Sequence, residues 1–173
     1  GAVVLGRGDW RVGGGELAVR GPGEMRVRIH GAGLCGTDLR MGKNGIAGNP
    51  PRVLGHEMAG TVAETGKDVK GCAVGERVSV APNIGCGLCD LCVSGNAPMC
   101  AHYAALGIPL DGAFAEYVTV PESAVRQGNV CKPGHSIGLA AAAAVERLPC
   151  DYNGVAAYGV RAGADVRIIG PGP

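Results

Sequence analysis

Four cysteines constrain this chain more than any other feature: Cys86, Cys89, Cys92 and Cys100, in the pattern C-x2-C-x2-C-x7-C. Short gaps let a tight turn aim successive thiolates at one point. The longer excursion then brings a fourth back to close a tetrahedron. Gly85, Gly87 and Gly95 supply the permissive backbone such turns need. Four thiolates around zinc leave no open position, so the sequence predicts a structural metal rather than a catalytic one. A bacterial iron–sulfur run places its fourth cysteine after three residues, with Pro behind it; here seven residues intervene and Ala101 follows. Val93 stands where a haem attachment needs His. Two disulfides are the remaining alternative. No charged-then-apolar secretory segment is present, so an intracellular, cytoplasmic setting and metal are expected instead.

Composition narrows the class. Hydrophobic residues make up 46% of the 173 and charged residues 18%, which supports a buried core rather than disorder. The formal charge of +1 gives no electrostatic reason to expect nucleic acid or an anionic membrane as partner. No apolar run is long enough to span a bilayer. Glycine is abundant at 32 residues, with 11 prolines and one Phe, one Trp and four Tyr. Such a core must rest on Val, Ile, Leu and Ala, cut into short strands by turns.

Val27 and Ile29 alternate with Arg26, Arg28 and His30, the period of a half-buried strand. Met58 to Glu64, Arg77 to Val80 and Ala113 to Val120 also read as strands. No long helix is expected before about Gly134. The predicted fold is mainly β, a partly open barrel with a zinc lobe and short helices. After Pro133, Leu139 to Val145 favours helix, and Asn153 to Gly159 offers a second helical segment. Val166-Arg167-Ile168-Ile169 then reads as a buried strand entering Gly170-Pro171-Gly172-Pro173. A strand feeding a Gly-rich turn is how a dinucleotide-binding unit opens, which makes Gly170 and Gly172 cofactor-binding candidates.

Gly31-Ala32-Gly33-Leu34-Cys35-Gly36 also fits G-x-G-x-x-G, but Gly42, Gly45, Gly48 and Pro50 break the segment that should be its helix. It is expected to be a turn that delivers Cys35. Gly55-His56-Glu57 lies just before the Met58 strand. Taken alone, neither segment specifies a metal. Asp38 is expected to be a backbone-bonding turn residue, and His30 an exposed strand residue. Cys72, Cys131 and Cys150 match no ligand pattern.

Together the motifs say more. Gly55-His56-Glu57-Met58-Ala59-Gly60 with Gly66 and Val69 resembles the zinc signature of the medium-chain alcohol dehydrogenases. Cys35-Gly36-Thr37-Asp38, the four-cysteine lobe, Gly75-Glu76-Arg77-Val78 and Gly112-Ala113-Phe114-Ala115-Glu116-Tyr117 fall in that family's order. Ala143-Ala144-Val145-Glu146 is similar to the polyol and threonine branch. The resemblance implies a GroES-like catalytic domain over 1–135, a helical connection over 136–164 and the start of a dinucleotide-binding domain over 165–173. It implies a catalytic zinc held by Cys35, His56 and a glutamate, either Glu57 or Glu146. The other glutamate would hydrogen-bond water or substrate, and Thr37 would relay the proton.

The implied activity is hydride transfer between a secondary alcohol or polyol and NAD or NADP, with homo-oligomers common in the family. A chain without the cofactor domain is expected to be inactive alone. The alternative is a zinc-stabilised binding module of the same fold without catalysis. Two positions depart from the pattern: Arg40 stands where relatives of this branch carry a His, and Arg147 where they carry Pro. Arginine stays protonated and cannot shuttle a proton at neutral pH.

Overall fold

The computed structural model describes residues 1–15, 21–46 and 50–170. In chain order its strands are β1 (Ala2–Gly6), β2 (Asp9–Val12), β3 (Met25–Gly33), β4 (Arg52–Val53), β5 (Glu57–Thr65), β6 (Arg77–Val80), β7 (Asn83–Ile84), β8 (Ala104–Ala105), β9 (Tyr117–Val120) and β10 (Val130–Cys131). The helices are α1 (Gly36–Asn44), α2 (Asp90–Val93), α3 (Glu122–Arg126), α4 (Leu139–Ala143) and α5 (Leu148–Ala157). Five antiparallel strands form the central sheet in the order β10-β6-β5-β3-β9, beside a three-stranded sheet β2-β1-β4 and the ribbon β7-β8. The mainly β architecture agrees with the sequence expectation.

The core follows from alternation. On β3, Met25 and Val27 point inward while Arg26 and Arg28 do not. They pack with Met58, Val62, Val78, Val80, Val118 and Val120 around one apolar centre. Each such side chain contributes roughly 1.5–3 kcal/mol by leaving water. The start of β5 is buried on both faces, because Met58 enters this core while Ala59 packs under Ala142 and Ala143 of α4. That seam is made of the smallest side chains. Ser79 ties it, its hydroxyl reaching the carbonyls of Met58 at 3.2 Å and Ala142 at 2.9 Å. A β-carbon on Gly31 would come within 3.2 Å of the Ala140 backbone.

Three expectations need correction. A nine-residue helix, α1, follows Cys35 although Gly42 lies inside it. Its N-terminus carries a capping box: the Cys35 side chain accepts from the helix backbone and Asp38 bonds back to the Cys35 N–H. Gly42 is there for space, since a β-carbon would lie 2.2 Å from the Trp10 ring. The strand expected over Ala113 to Val120 begins only at Tyr117; Ala113 and Phe114 bond instead to the carbonyls of Gly55 and Leu54. Val166 to Ile169 form no strand and are exposed, Ile169 to 90%. A strand of a parallel sheet exists through its neighbours, and none pairs with this segment among the described residues. Gly170 takes a positive φ of 71°; Gly172 lies outside the described residues. The helical expectations hold with shifted bounds, as α4 and α5 joined by a tight turn over Ala144–Arg147. No helix among the described residues is long and apolar enough to cross a membrane.

Candidate metal centres

The four-cysteine lobe is a loop between β7 and β8 that carries α2. Cys86 Sγ lies 3.9 Å from Cys92 Sγ, and Cys89 Sγ 3.8 Å from Cys100 Sγ. Zinc–sulfur bonds of about 2.3 Å in a tetrahedron require sulfur–sulfur edges of about 3.8 Å. The lobe therefore fits zinc in size as well as in donor type. Gly87 and Gly95 take the positive φ that the turns need. Backbone N–H groups converge on the sulfurs, from Leu88 and Cys89 onto Cys86 and from His102 onto Cys100. Those of Leu88 and then Cys89 pull the Cys86 thiol down to about 6. Neither α2 nor the turn Ala97–Met99 contributes a buried residue, so apolar packing does little to hold the lobe together.

The second cluster forms where β3 and β5 meet α1. Cys35 is the residue that caps α1, and His56 and Glu57 lead into β5. Ligand atoms of Cys35, His56 and Glu57 all lie within 4.8 Å of one another, with His56 and Glu57 buried. A thiolate, an imidazole and one carboxylate form a donor set suited to zinc, and three protein ligands leave a position open. Behind them sits Asp38, fully buried. It accepts the N–H of Cys35 at 2.9 Å and of Gly55 at 3.1 Å, and lies 3.4 Å from His56 Nδ1. A carboxylate on one ring nitrogen leaves the other for a metal and fixes the ring. Sequence reasoning found the backbone role of Asp38 and missed this one. The only signal was its capping-box distance from Cys35.

Charge is shared across this group. In the metal-free site the Asp38 side chain holds the His56 imidazolium up to about 9, against burial. Burial opposes ionisation of Asp38, yet the His56 partner and the Cys35 N–H hold it below the usual carboxylate range. Burial likewise opposes a thiolate at Cys35, but the Thr37 N–H and His56 bring it down. Thr37 donates that N–H to Cys35 Sγ at 3.5 Å, and its hydroxyl accepts from Arg40 at 3.3 Å. Glu146, in the turn after α4, is half-buried and raised by burial; His56 opposes the shift and Glu57 adds to it. It stands in electrostatic range of the cluster, not among the three atoms that converge.

Residues 21–129 match the alcohol dehydrogenase GroES-like domain. The chain belongs to that family. Among curated members, the L-galactonate-5-dehydrogenase of Escherichia coli K12 is 32% identical over 159 residues, 91% of this chain and 45% of its own. The L-threonine 3-dehydrogenase of Pyrococcus furiosus is 40% identical over 157 residues, 88% of this chain and 43% of its own. A provisionally named zinc-binding dehydrogenase of Sinorhizobium meliloti, solved with NADP, superposes with a TM-score of 0.81 at 33% identity, over 95% of this chain and 48% of that one. The alcohol dehydrogenase GroES-like chain thus spans less than half the length of these relatives.

Proposed function

We propose that this domain is the metal-bearing half of a zinc-dependent dehydrogenase that moves hydride between a secondary alcohol or polyol and NAD or NADP. The observation that carries the proposal is the convergence of Cys35, His56 and Glu57 within 4.8 Å, with Asp38 behind His56. The names of the similar dehydrogenases, and NADP in one of them, support the same chemistry. Cys35, His56 and Glu57 hold the catalytic zinc, and Glu146 stands ready to bond water or substrate. Cys86, Cys89, Cys92 and Cys100 hold a closed, structural zinc.

Zinc bound at the first site supplies Lewis acidity that makes a substrate hydroxyl easier to ionise. The protein's own part is proton handling. Thr37 Oγ1 has two acceptor positions and one hydrogen. Arg40 fills one acceptor position, so the other takes the substrate proton while the Thr37 hydrogen passes to water. Arg40 cannot be the next carrier, because its guanidinium does not deprotonate.

We assign residues 1–135 to the catalytic domain and 136–164 to a helical connection. Residues 165–173, with Gly170 and Gly172, belong to the nucleotide-binding side. A cytoplasmic, homo-oligomeric enzyme suits reduced thiolate ligands and a small-molecule substrate. The test is zinc content of the purified chain beside Cys35→Ser. Near two zincs falling to one supports the enzyme; one zinc in both leaves a zinc-stabilised binding module.

A further inference from the structure

Gly75-Glu76-Arg77-Val78 carries no metal ligand and takes no part in the proton handling above. Its side chains hold something else. Val78 belongs to the apolar core, and Glu76 pairs with Lys132, just past β10, at 2.8 Å. Arg77 donates Nη1 to the carbonyl of His135 at 3.1 Å and Nη2 to that of Ile137. Two residues along β6, on the same face of the strand, Ser79 donates to the Ala142 carbonyl of α4 at 2.9 Å. Three nearby side chains thus tie the chain at 132, 135, 137 and 142. That is the stretch running from the barrel into α4.

What these bonds fix is the approach to Glu146. α4 lies against β3, β5 and β6, and the turn Ala144–Arg147 packs on β5, the strand that opens at Glu57. The contacts beneath α4 are between Gly and Ala, which are close but non-directional. Direction comes from Ser79 at the end of α4 and from Arg77 before its start. A planar guanidinium with N–H groups on two carbonyls fixes the orientation of the connection as well as its distance. A single ammonium cannot do both.

We propose that Arg77 is a positioning residue: its grip on the His135 and Ile137 carbonyls holds the path into α4 that keeps the Glu146 carboxylate beside Cys35, His56 and Glu57. The inference rests on the dehydrogenase reading above, which gives Glu146 its place at the first metal site. Without Arg77 the seam under α4 remains, but the approach loosens and the carboxylate spends less time beside the ion.

The experiment measures zinc affinity by competition with a chromophoric chelator, counting only the zinc that Cys35→Ser loses. It compares Arg77→Ala, Glu146→Gln and the double variant. A carboxylate beside the ion attracts it, so Glu146→Gln is expected to weaken that zinc about tenfold. Arg77→Ala should weaken it about fourfold, and should add nothing in the Glu146→Gln background. Arg77→Lys should recover part of the loss. Urea midpoints confirm that each variant is folded; where Arg77→Ala is not, Arg77→Lys replaces it in the cycle. A general loosening of the domain lowers affinity equally in both backgrounds, and that additive result overturns the proposal. So does parental affinity in either single variant. Absence of any Cys35-dependent zinc in the parent chain overturns the dehydrogenase reading itself, and the proposal with it.

Discussion

Gly33 and Glu57 face each other across the β3–β5 ladder, and a β-carbon at Gly33 would lie 2.0 Å from Glu57 Oε2. The carboxylate occupies the volume that a side chain would have filled. Gly33→Ala should push Glu57 out of the cluster and remove one zinc per chain. The four-cysteine lobe should keep its own. Elemental analysis with a thiol-blocking control checks this, and full retention of both zincs would contradict it.

From a fully buried position Asp38 accepts from two backbone N–H groups and lies 3.4 Å from the His56 imidazole. Asp38→Ala leaves both N–H groups without their acceptor and the imidazole without its carboxylate neighbour. The expected loss of stability is about 3 kcal/mol, read from the urea midpoint. Asp38→Asn keeps an acceptor and should cost less stability. It should still weaken zinc at the first site by about 10- to 100-fold, because the ring loses its carboxylate.

His56 gives the metal-free chain an unusual pH dependence. Its folded value is about 9 against 6.5 for the free side chain. The folded state therefore binds the proton more tightly, and this contribution to stability is complete below 6.5 and disappears as pH rises through 9. Zinc uptake runs the other way, since the ring and the Cys35 thiol must lose protons to bind. Urea titrations of metal-free protein should show the midpoint falling across that window, and Asp38→Asn should flatten the fall. A midpoint that climbs would refute the assignment.

Strong chelators should act on the four-cysteine lobe locally. With no buried residue in α2 or in the turn after it, loss of metal or Cys92→Ser should expose the segment 86–100 to protease. The β-sheet core should remain resistant. Cleavage within the sheet at the same rate would show that the lobe and the barrel unfold as one unit.

Much of this was legible in the sequence. The four cysteines and the Met58 strand follow local rules of spacing and alternation, whereas Cys35, His56 and Glu57 are marked out as a group only by the resemblance to a family. What escaped depended on distant partners. Gly42 looks like a helix breaker until Trp10 is seen against it, and Gly33 looks like a turn glycine until Glu57 is seen across the ladder. Asp38 reads as a backbone-bonding turn residue until Gly55 and His56 arrive from seventeen and eighteen positions away. Val166 to Ile169 have strand composition but, among the described residues, no neighbour to pair with.

The seam between α4 and the sheet has a consequence for how such a site can change over time. Gly31, Ala59, Ala140, Ala142 and Ala143 bring main chain nearly against main chain, so apart from Ser79 and Leu139 the seam has no rotamers to adjust. The stance of Glu146 is inherited from the path of the polypeptide, not tuned by neighbouring side chains. Point substitutions along the seam can enlarge residues and break it but cannot make it slide. Repositioning that carboxylate calls for altering the length of the connection before Leu139 or the bend at Ala144, which makes this corner an anvil.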